Sequence, residues 1–219
     1  MAEDVPDGPP PGSPSGLAAT VLRAGTRTIQ LLLVGLGVYT LLVGDVGRFA
    51  NVGVMLGLSL VPDALRYRYA LRPQPLVGFL VAAAPFLHAV GALGPYRTVP
   101  AFDQVAHALS ATLVAGFGYV LVRVVETESD AVQIPPTLRF AFVLIFATSF
   151  GLAWEILEFG TGLLASVTGG DPLLAQYGLS DVALDLLFNS LGTLVVALWG
   201  TQYFDSLRRP LARGLDDDR

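Results

Sequence analysis

The sequence predicts an all-α fold, a polytopic membrane helix bundle with six transmembrane helices. Two observations predict this class. Hydrophobic residues make up 53% of the 219 residues and charged residues only 14%, with a mean hydropathy of +0.61, whereas about a quarter of a typical soluble domain is charged. Long apolar runs also recur along the whole chain, as transmembrane helices require.

The chain divides into a membrane domain with a polar tail at each end. Residues 1–18 are rich in proline, glycine, serine and acidic residues, so they are predicted to be a disordered tail without a signal-peptide pattern. Residues 19–205 are the predicted six-helix transmembrane domain, and residues 206–219 are a polar C-terminal tail. The six predicted spans, in chain order, are residues 28–43, about 46–65, about 76–93, 101–124, about 138–164 and 180 to about 200.

The first three spans differ in regularity. Arg23 and Arg27 precede the first span. The second span is short, rich in glycine and interrupted by Pro62, which makes it the least regular of the six. The basic and aromatic segment 66–72 follows it and suits an anionic membrane surface. The third span contains His88.

The last three spans begin after turn residues or with polar residues. The fourth begins after Pro100, a residue favoured at helix starts, and the fifth comes after an acidic loop and Pro135 and Pro136. The sixth begins at Ser180 and carries polar side chains in its first turns.

The arginines predict the orientation of the bundle, because cytoplasmic loops carry an excess of basic residues. With six spans, two arginines fall on one side, Arg48 and Arg97. Eleven fall on the side of the termini: Arg23, Arg27, Arg66, Arg68, Arg72, Arg123, Arg139, Arg208, Arg209, Arg213 and Arg219. Both termini are therefore predicted to be cytoplasmic, in a multi-pass protein of the cell membrane.

The absence of two residue types excludes several kinds of site. The chain has no cysteine, which excludes disulfides, thiolate metal sites and a cysteine nucleophile. All 13 basic residues are arginine, so a lysine nucleophile, a Schiff base and a Walker-type phosphate loop are excluded as well. The expected partner is the lipid bilayer, and no nucleic-acid partner is expected.

The sixth span carries an unusual polar stripe. Asp181, Asp185 and Asn189 follow one another at intervals of four residues, so they share one face of a helix. A carboxylate at membrane depth costs several kcal/mol unless it is paired, protonated or bound to a metal. The stripe therefore predicts polar partners on the other spans.

The fourth and fifth spans supply such partners. Asp103 and His107 are four residues apart, and Glu155 and Glu158 are three apart, so each pair shares a helix face. The predicted topology places all of them, together with the stripe, in the outer layer of the membrane. Five carboxylates, an imidazole and an amide are thus expected to meet at one depth.

This cluster predicts a site for a cation or for protonated carboxylates. Five carboxylates with so little positive charge nearby cannot all be ionised. Mixed ligation by Asp, Glu and His suits a divalent metal such as Mn, Zn, Mg or Fe. The candidate metal ligands are Asp103, His107, Glu155, Glu158, Asp181 and Asp185. The candidate catalytic residues are His107, Glu155 and Asp185, with His107 or Glu155 as general base or metal ligand, and Asn189 is expected to orient a ligand.

Simpler interpretations remain open for several of these residues. Asp103 and Asp181 lie near helix N-termini, where a carboxylate is favoured as a cap. A position near the outer interface would account for Glu158, and a structural role would account for His88. Trp154 is explained by the belt of aromatic residues at the membrane interface.

The pattern resembles a known family. Asp103-x3-His107, a glutamate pair on the next span, and Asp185-x3-Asn189-x2-Gly192 are similar to the VanZ-like superfamily, and closer still to the YjdF-like inner-membrane proteins. Residues 101–200 carry the resemblance, and the first spans match in hydropathy only. The resemblance implies a small six-helix membrane fold and the same polar residues, and it implies no particular reaction.

Three functions are compatible with these observations. The first is a membrane-embedded, metal-dependent enzyme acting on a lipid or lipid-linked headgroup at the outer leaflet. The second is a non-enzymatic ion- or proton-binding membrane protein or transporter, although the inner halves of spans four to six contain no ionisable group. The third is a structural protein whose acidic cluster locks the helices together.

Overall fold

The computed structural model describes residues 16–69, 73–128, 132–169, 172, 174 and 177–200. Within these ranges the chain is helical and contains no strand. The helices are α1 (Gly16–Leu42), α2 (Val46–Ser59), α3 (Val61–Tyr69), α4 (Pro75–Gly91), α5 (Pro95–Thr98), α6 (Phe102–Glu128), α7 (Pro136–Thr168) and α8 (Leu179–Val195), followed by a π-helical turn at Val196–Gly200.

Local sequence signals account for several helix ends. Asp45 precedes α2 and accepts a hydrogen bond from the Arg48 backbone N–H at 2.9 Å, as an N-cap residue does. Pro75 and Pro136 open α4 and α7, where the missing N–H costs nothing. Gly169 ends α7 with a φ of 72°, a left-handed conformation that favours glycine.

The helices pack in two groups. In the first, α1, α2 and α4 contact one another around a core of Leu33, Val52, Met55 and Ala89. In the second, α6, α7 and α8 pack together. The contact between α4 and α6 joins the two groups, so polar residues of α4 can meet those of the second group.

The contact between α6 and α8 is especially close. A Cβ added at Gly192 would lie 2.1 Å from the backbone oxygen of Ala108, so no larger residue fits there without movement. On the next turn of α6, the Thr112 hydroxyl donates to the Gly192 carbonyl oxygen at 3.2 Å. This contact sets the spacing between the two helices that carry Asp103, His107 and Asp185.

Four of the described helical segments are long and apolar enough to cross a membrane: Gly16–Leu42, Phe102–Glu126, Pro136–Thr168 and Leu179–Leu198. The apolar helix α4 has 17 residues and is shorter. The predicted second span is divided into α2 and α3, of 14 and 9 residues, which meet at Leu60. The all-helical membrane fold agrees with the sequence, while the number of six spans stays a prediction.

Two predicted boundaries shift in the structure. Helix α1 begins at Gly16, inside the predicted tail 1–18, and α7 extends beyond the predicted span 138–164 at both ends. Residues 1–15 and the predicted C-terminal tail lie outside the described residues.

The surface of the bundle is strongly apolar, as contact with lipid requires. Large hydrophobic side chains with more than half of their surface exposed include Leu31, Leu42, Ile145 and Leu164. A contiguous apolar surface of this kind is rare on soluble monomers and marks contact with a membrane or with another protein.

Candidate functional site

Three helices bring the predicted polar residues into one buried cluster. Helix α6 supplies Asp103 and His107, α7 supplies Glu155 and Glu158, and α8 supplies Asp185 and Asn189. All six side chains are buried. They lie in the first turns of α6 and α8 and in the second half of the antiparallel α7, so they gather toward the same end of the bundle.

Asp103, His107 and Asp185 form the centre of this cluster. His107 Nε2 lies 3.5 Å from Asp103 Oδ1 and 3.9 Å from Asp185 Oδ2. One ligand atom from each residue falls within 4.8 Å of the others. These separations are longer than ordinary hydrogen bonds. Two atoms bound at about 2.1 Å to one ion lie about 3.4 Å apart at a tetrahedral angle, so the widest of these separations would have to contract by up to about 1.4 Å for all three to hold one cation.

Asp185 is the residue whose environment is hardest to explain without a ligand. Its relative exposure is 0%, and neither of its carboxylate oxygens has a hydrogen-bond partner among the described residues. A buried carboxylate without compensation costs several kcal/mol. Asp185 therefore requires a proton or a bound cation.

Asn189 lies one turn beyond Asp185 and contacts His107 through its side chain. Its position depends on Gly151 of α7, because a Cβ at that residue would come within 2.7 Å of Asn189 Nδ2. The missing side chain of Gly151 therefore provides the space that lets Asn189 reach toward the site.

The two glutamates occupy different surroundings. Glu155 is buried near Asp103 and Asp181, whose charges interact with it. Glu158 accepts a hydrogen bond from Trp154 Nε1 at 2.9 Å. Trp154 is thus a site neighbour inside the bundle, in addition to the interfacial role that its residue type indicates.

Asp181 lies at the edge of the cluster. It is only partly buried in the first turn of α8, and its Oδ2 accepts a hydrogen bond from the Tyr177 backbone N–H at 3.0 Å. The charge of Asp181 interacts with Asp103 and Asp185, although Asp181 is not part of the three-residue centre. This arrangement agrees with the simpler interpretation of Asp181 as a residue of the helix start.

Sequence reasoning missed Tyr96, which lies in the short helix α5. The Tyr96 hydroxyl contacts His88 Nδ1 at 2.6 Å, and the phenol lies near the charges of Asp103, Glu158 and Asp185. Burial raises the pKa of Tyr96 well above its usual value, so the hydroxyl keeps its proton. Helical periodicity carries no signal for a residue in such a short connection.

The other end of the second helix group is apolar. Below the polar cluster, α6, α7 and α8 are held together by a core that contains Ala115, Val120, Val143, Ala147 and Val196. Beyond this core, Glu126 joins Arg123 and Arg139 at 2.6 and 2.8 Å. The apolar core therefore separates this ion-pair group from the buried cluster.

A cleft of about 270 Å³ adjoins the cluster from the side. Glu158 is the ionisable residue among those that line it, and the remaining lining residues are Phe159, Gly162, Leu163, Pro172 and Leu174. The Leu174 backbone N–H donates to the Thr161 hydroxyl at 3.3 Å, which ties one wall of the cleft to α7. An apolar opening beside a carboxylate is suited to a molecule with an apolar chain and a polar head.

The fold and the site together define a helical membrane protein with a buried cluster of carboxylates and one imidazole. Residues 25–206 match the family described as "Predicted membrane protein (DUF2238)", and the chain belongs to that family. A protein of Thermotoga maritima, described as "Uncharacterized protein", is 29% identical over 125 residues, a segment that covers 54% of this chain and 58% of that relative. No solved structure matches the chain.

The family match supports the membrane class, and neither match names a reaction. They do not bear on the resemblance to the YjdF-like and VanZ-like proteins, which stays a prediction.

Proposed function

We propose that this protein is a membrane-embedded, metal-dependent enzyme that acts on the headgroup of a lipid or lipid-linked molecule. The observation that carries the proposal is Asp185, which is fully buried, has no hydrogen-bond partner among the described residues, and lies 3.9 Å from His107. A divalent cation held by Asp103, His107 and Asp185 would neutralise this carboxylate and give it ligand contacts.

The donor set favours a transition metal. Two carboxylates and one imidazole suit Zn²⁺, Mn²⁺ or Fe²⁺, while Mg²⁺ is the weakest candidate because it rarely takes a nitrogen ligand. Asp103, His107 and Asp185 would hold the ion with three protein ligands, the number found in catalytic zinc sites. The proposed cofactor is therefore one divalent ion.

The neighbouring side chains then have distinct proposed roles. A bound divalent ion would supply Lewis acidity, and the buried Glu155, which interacts with Asp103, would be the residue able to hold a proton beside the centre. Asn189, which contacts His107, would orient the ligand or the imidazole. Glu158 lines the side cleft and would contact the headgroup.

The lipid nature of the substrate is inferred from the access route. The cleft has mostly apolar walls and adjoins the exposed face of α7, where Phe159 and Leu163 are well exposed. A substrate that diffuses in the membrane would reach Glu158 through this cleft without leaving the bilayer. Apolar walls of this kind would not be required to admit a water-soluble substrate.

The proposed topology has six spans, both termini in the cytoplasm and the site on the extracytoplasmic side. The distribution of arginines supports it, with eleven on the side of the termini and two on the other. Arg123 and Arg139 lie at the end of the α6–α7 pair remote from Asp103, which agrees with this orientation.

Metal analysis of the purified protein tests the proposal. After equilibration with Zn²⁺, Mn²⁺ or Fe²⁺ and removal of free metal, mass spectrometry should find about one ion per chain in the wild type. Asp185→Asn should lose the ion, because the neutral amide is a poor ligand, and Asp181→Asn should retain it as the matched control.

Two results would contradict the metal site. One is a wild-type protein without a stoichiometric ion under any of these conditions, and the other is full retention by Asp185→Asn. If Asp185→Asn retains its fold but changes only thermal stability, the acidic cluster has a structural role instead. Ion transport would need a polar path past Val120 and Val143, where the described core is apolar.

A further inference from the structure

His88 is a second buried histidine beside the proposed metal centre. It lies near the end of α4 and is 8% exposed. It is not one of the three residues whose ligand atoms converge. Its contacts nevertheless connect α4 with α5, α6 and α7, which is unusual for a single side chain on an apolar helix.

Hydrogen bonds at both ring nitrogens hold His88 in one orientation. The Tyr96 hydroxyl lies 2.6 Å from Nδ1, and Ser110 Oγ lies 3.1 Å from Nε2. Both partners are hydroxyl groups, which can donate or accept, so each ring nitrogen is satisfied in either tautomer. With a partner on each side, the ring cannot flip without breaking these hydrogen bonds.

Tyr96 is itself held in place. A Cβ at Gly91 would come within 2.3 Å of the Tyr96 ring, so the phenol lies directly over the backbone of this glycine. The ring of Phe102 meets it edge-on, with centroids 5.9 Å apart. The hydroxyl that contacts His88 Nδ1 therefore belongs to a fixed ring.

The oriented His88 ring packs against two site residues. Its centroid lies 5.3 Å from that of His107, with the planes at 74°, and 5.4 Å from the ring of Trp154. The edge-to-face contact limits rotation of the His107 imidazole, whose Nε2 must point toward Asp103 and Asp185.

We infer that His88 is a positioning residue that holds the His107 imidazole in its ligand orientation, and that Tyr96 and Ser110 lock His88 for this purpose. The effect of His88 on metal binding rests on the proposed function. The effect of His88 on the orientation of His107 is independent of it, because the contacts exist in the protein without metal. Removing a group that orients a metal ligand typically lowers the metal affinity by about 10- to 100-fold.

The presence of only two histidines in the chain makes a direct test possible. Protein labelled with ¹⁵N at histidine has two ring systems, and His107→Gln assigns them. In metal-free wild type, the His107 ring should show one tautomer. His88→Ala should shift the His107 signals toward the average of both tautomers, and Tyr96→Phe and Ser110→Ala should do so to a smaller degree.

Controls separate orientation from general stability. Tyr39→Phe makes the same chemical change on an exposed part of α1 and should leave the His107 signals unchanged. If His88→Ala fails to fold, Tyr96→Phe and Ser110→Ala still test the inference, because each removes only one hydroxyl that contacts His88. In the metal-loaded protein, His88→Ala should weaken metal binding about 10- to 100-fold.

The outcomes distinguish this inference from the proposed function. Unchanged His107 signals in the folded His88→Ala, Tyr96→Phe and Ser110→Ala variants overturn the positioning role, whatever the metal content. A wild type that binds no metal overturns the proposed function, while altered His107 signals in the variants still support the positioning role.

Discussion

At the scale of single residues, the missing side chain of Gly151 decides where Asn189 can lie. The Asn189 amide occupies the space that a Cβ on α7 would fill, and from there it contacts His107. A small residue on one helix thus controls the orientation of a polar side chain on another.

Gly151→Ala should therefore displace Asn189. Overpacking of this kind costs about 1–3 kcal/mol, and the proposed metal affinity should fall because the neighbour of His107 moves. Thermal unfolding in detergent and metal titration are the measurements. Gly35→Ala on α1, where nothing lies within 4 Å of the added Cβ, is the control. Equal behaviour of the two variants would show that Asn189 does not depend on Gly151.

Helical spacing was sufficient to place Asp103 with His107, and Asp185 with Asn189, because residues four apart share a helix face. The role of Tyr96 could not be found in this way. It lies in a four-residue helix without periodicity, and its partner His88 belongs to a different helix. Trp154 and its partner Glu158 are also four residues apart, so the spacing allows their contact, although the residue type of Trp154 favoured an interfacial role.

At the scale of helices, the close contact of α6 and α8 determines the geometry of the site. Asp103 and His107 face Asp185 across this contact, and Gly192 allows the two backbones to approach. Small residues commonly permit such approaches between helices in membranes.

Gly192→Ala should push α8 away from α6. The added methyl would meet a backbone oxygen, which cannot rotate aside, so we expect a loss of about 1–3 kcal/mol or more in stability. The wider spacing should also abolish stoichiometric metal binding. Gly160→Ala on α7, whose Cβ would meet nothing within 4 Å, should be tolerated in both assays. A stable, metal-binding Gly192→Ala protein would contradict this role of the contact.

Hydropathy predicted the long helices α6, α7 and α8, because apolar runs of more than 20 residues leave little alternative, but it found only the second half of α1. The break between α2 and α3 was harder to predict. Pro62 was interpreted as an interruption within one span, whereas it lies at the second position of α3, where its missing N–H is tolerated. Arg27 of α1 then forms a two-fold ion pair with Asp63 that secures α3.

At the scale of the whole molecule, the surface is apolar and the buried polar groups cluster toward one end of the bundle. The orientation of the bundle decides which side of the membrane this end faces. The absence of cysteine from the chain allows a clean experiment, since each introduced thiol is unique. Two exposed positions, Thr98 and Gln133, lie on opposite sides in the proposed topology.

Thr98→Cys should react with a membrane-impermeant maleimide in intact cells, because it lies beside the site on the proposed outer side. Gln133→Cys, between α6 and α7, should react only after permeabilisation. Mass shifts of the purified proteins measure the labelling. The reverse pattern would place the site on the cytoplasmic side and contradict the arginine distribution.

The apolar core below the cluster has a consequence for metal supply. This core, which contains Val120 and Val143, provides no carboxylate, imidazole or basic side chain between the cluster and the other end of the α6–α8 group. In the proposed topology, the ion would therefore come from the extracellular or periplasmic pool after the protein has inserted into the membrane. Occupancy would follow the metal content of the surroundings, while the regulated cytoplasmic pool would have no direct influence on it.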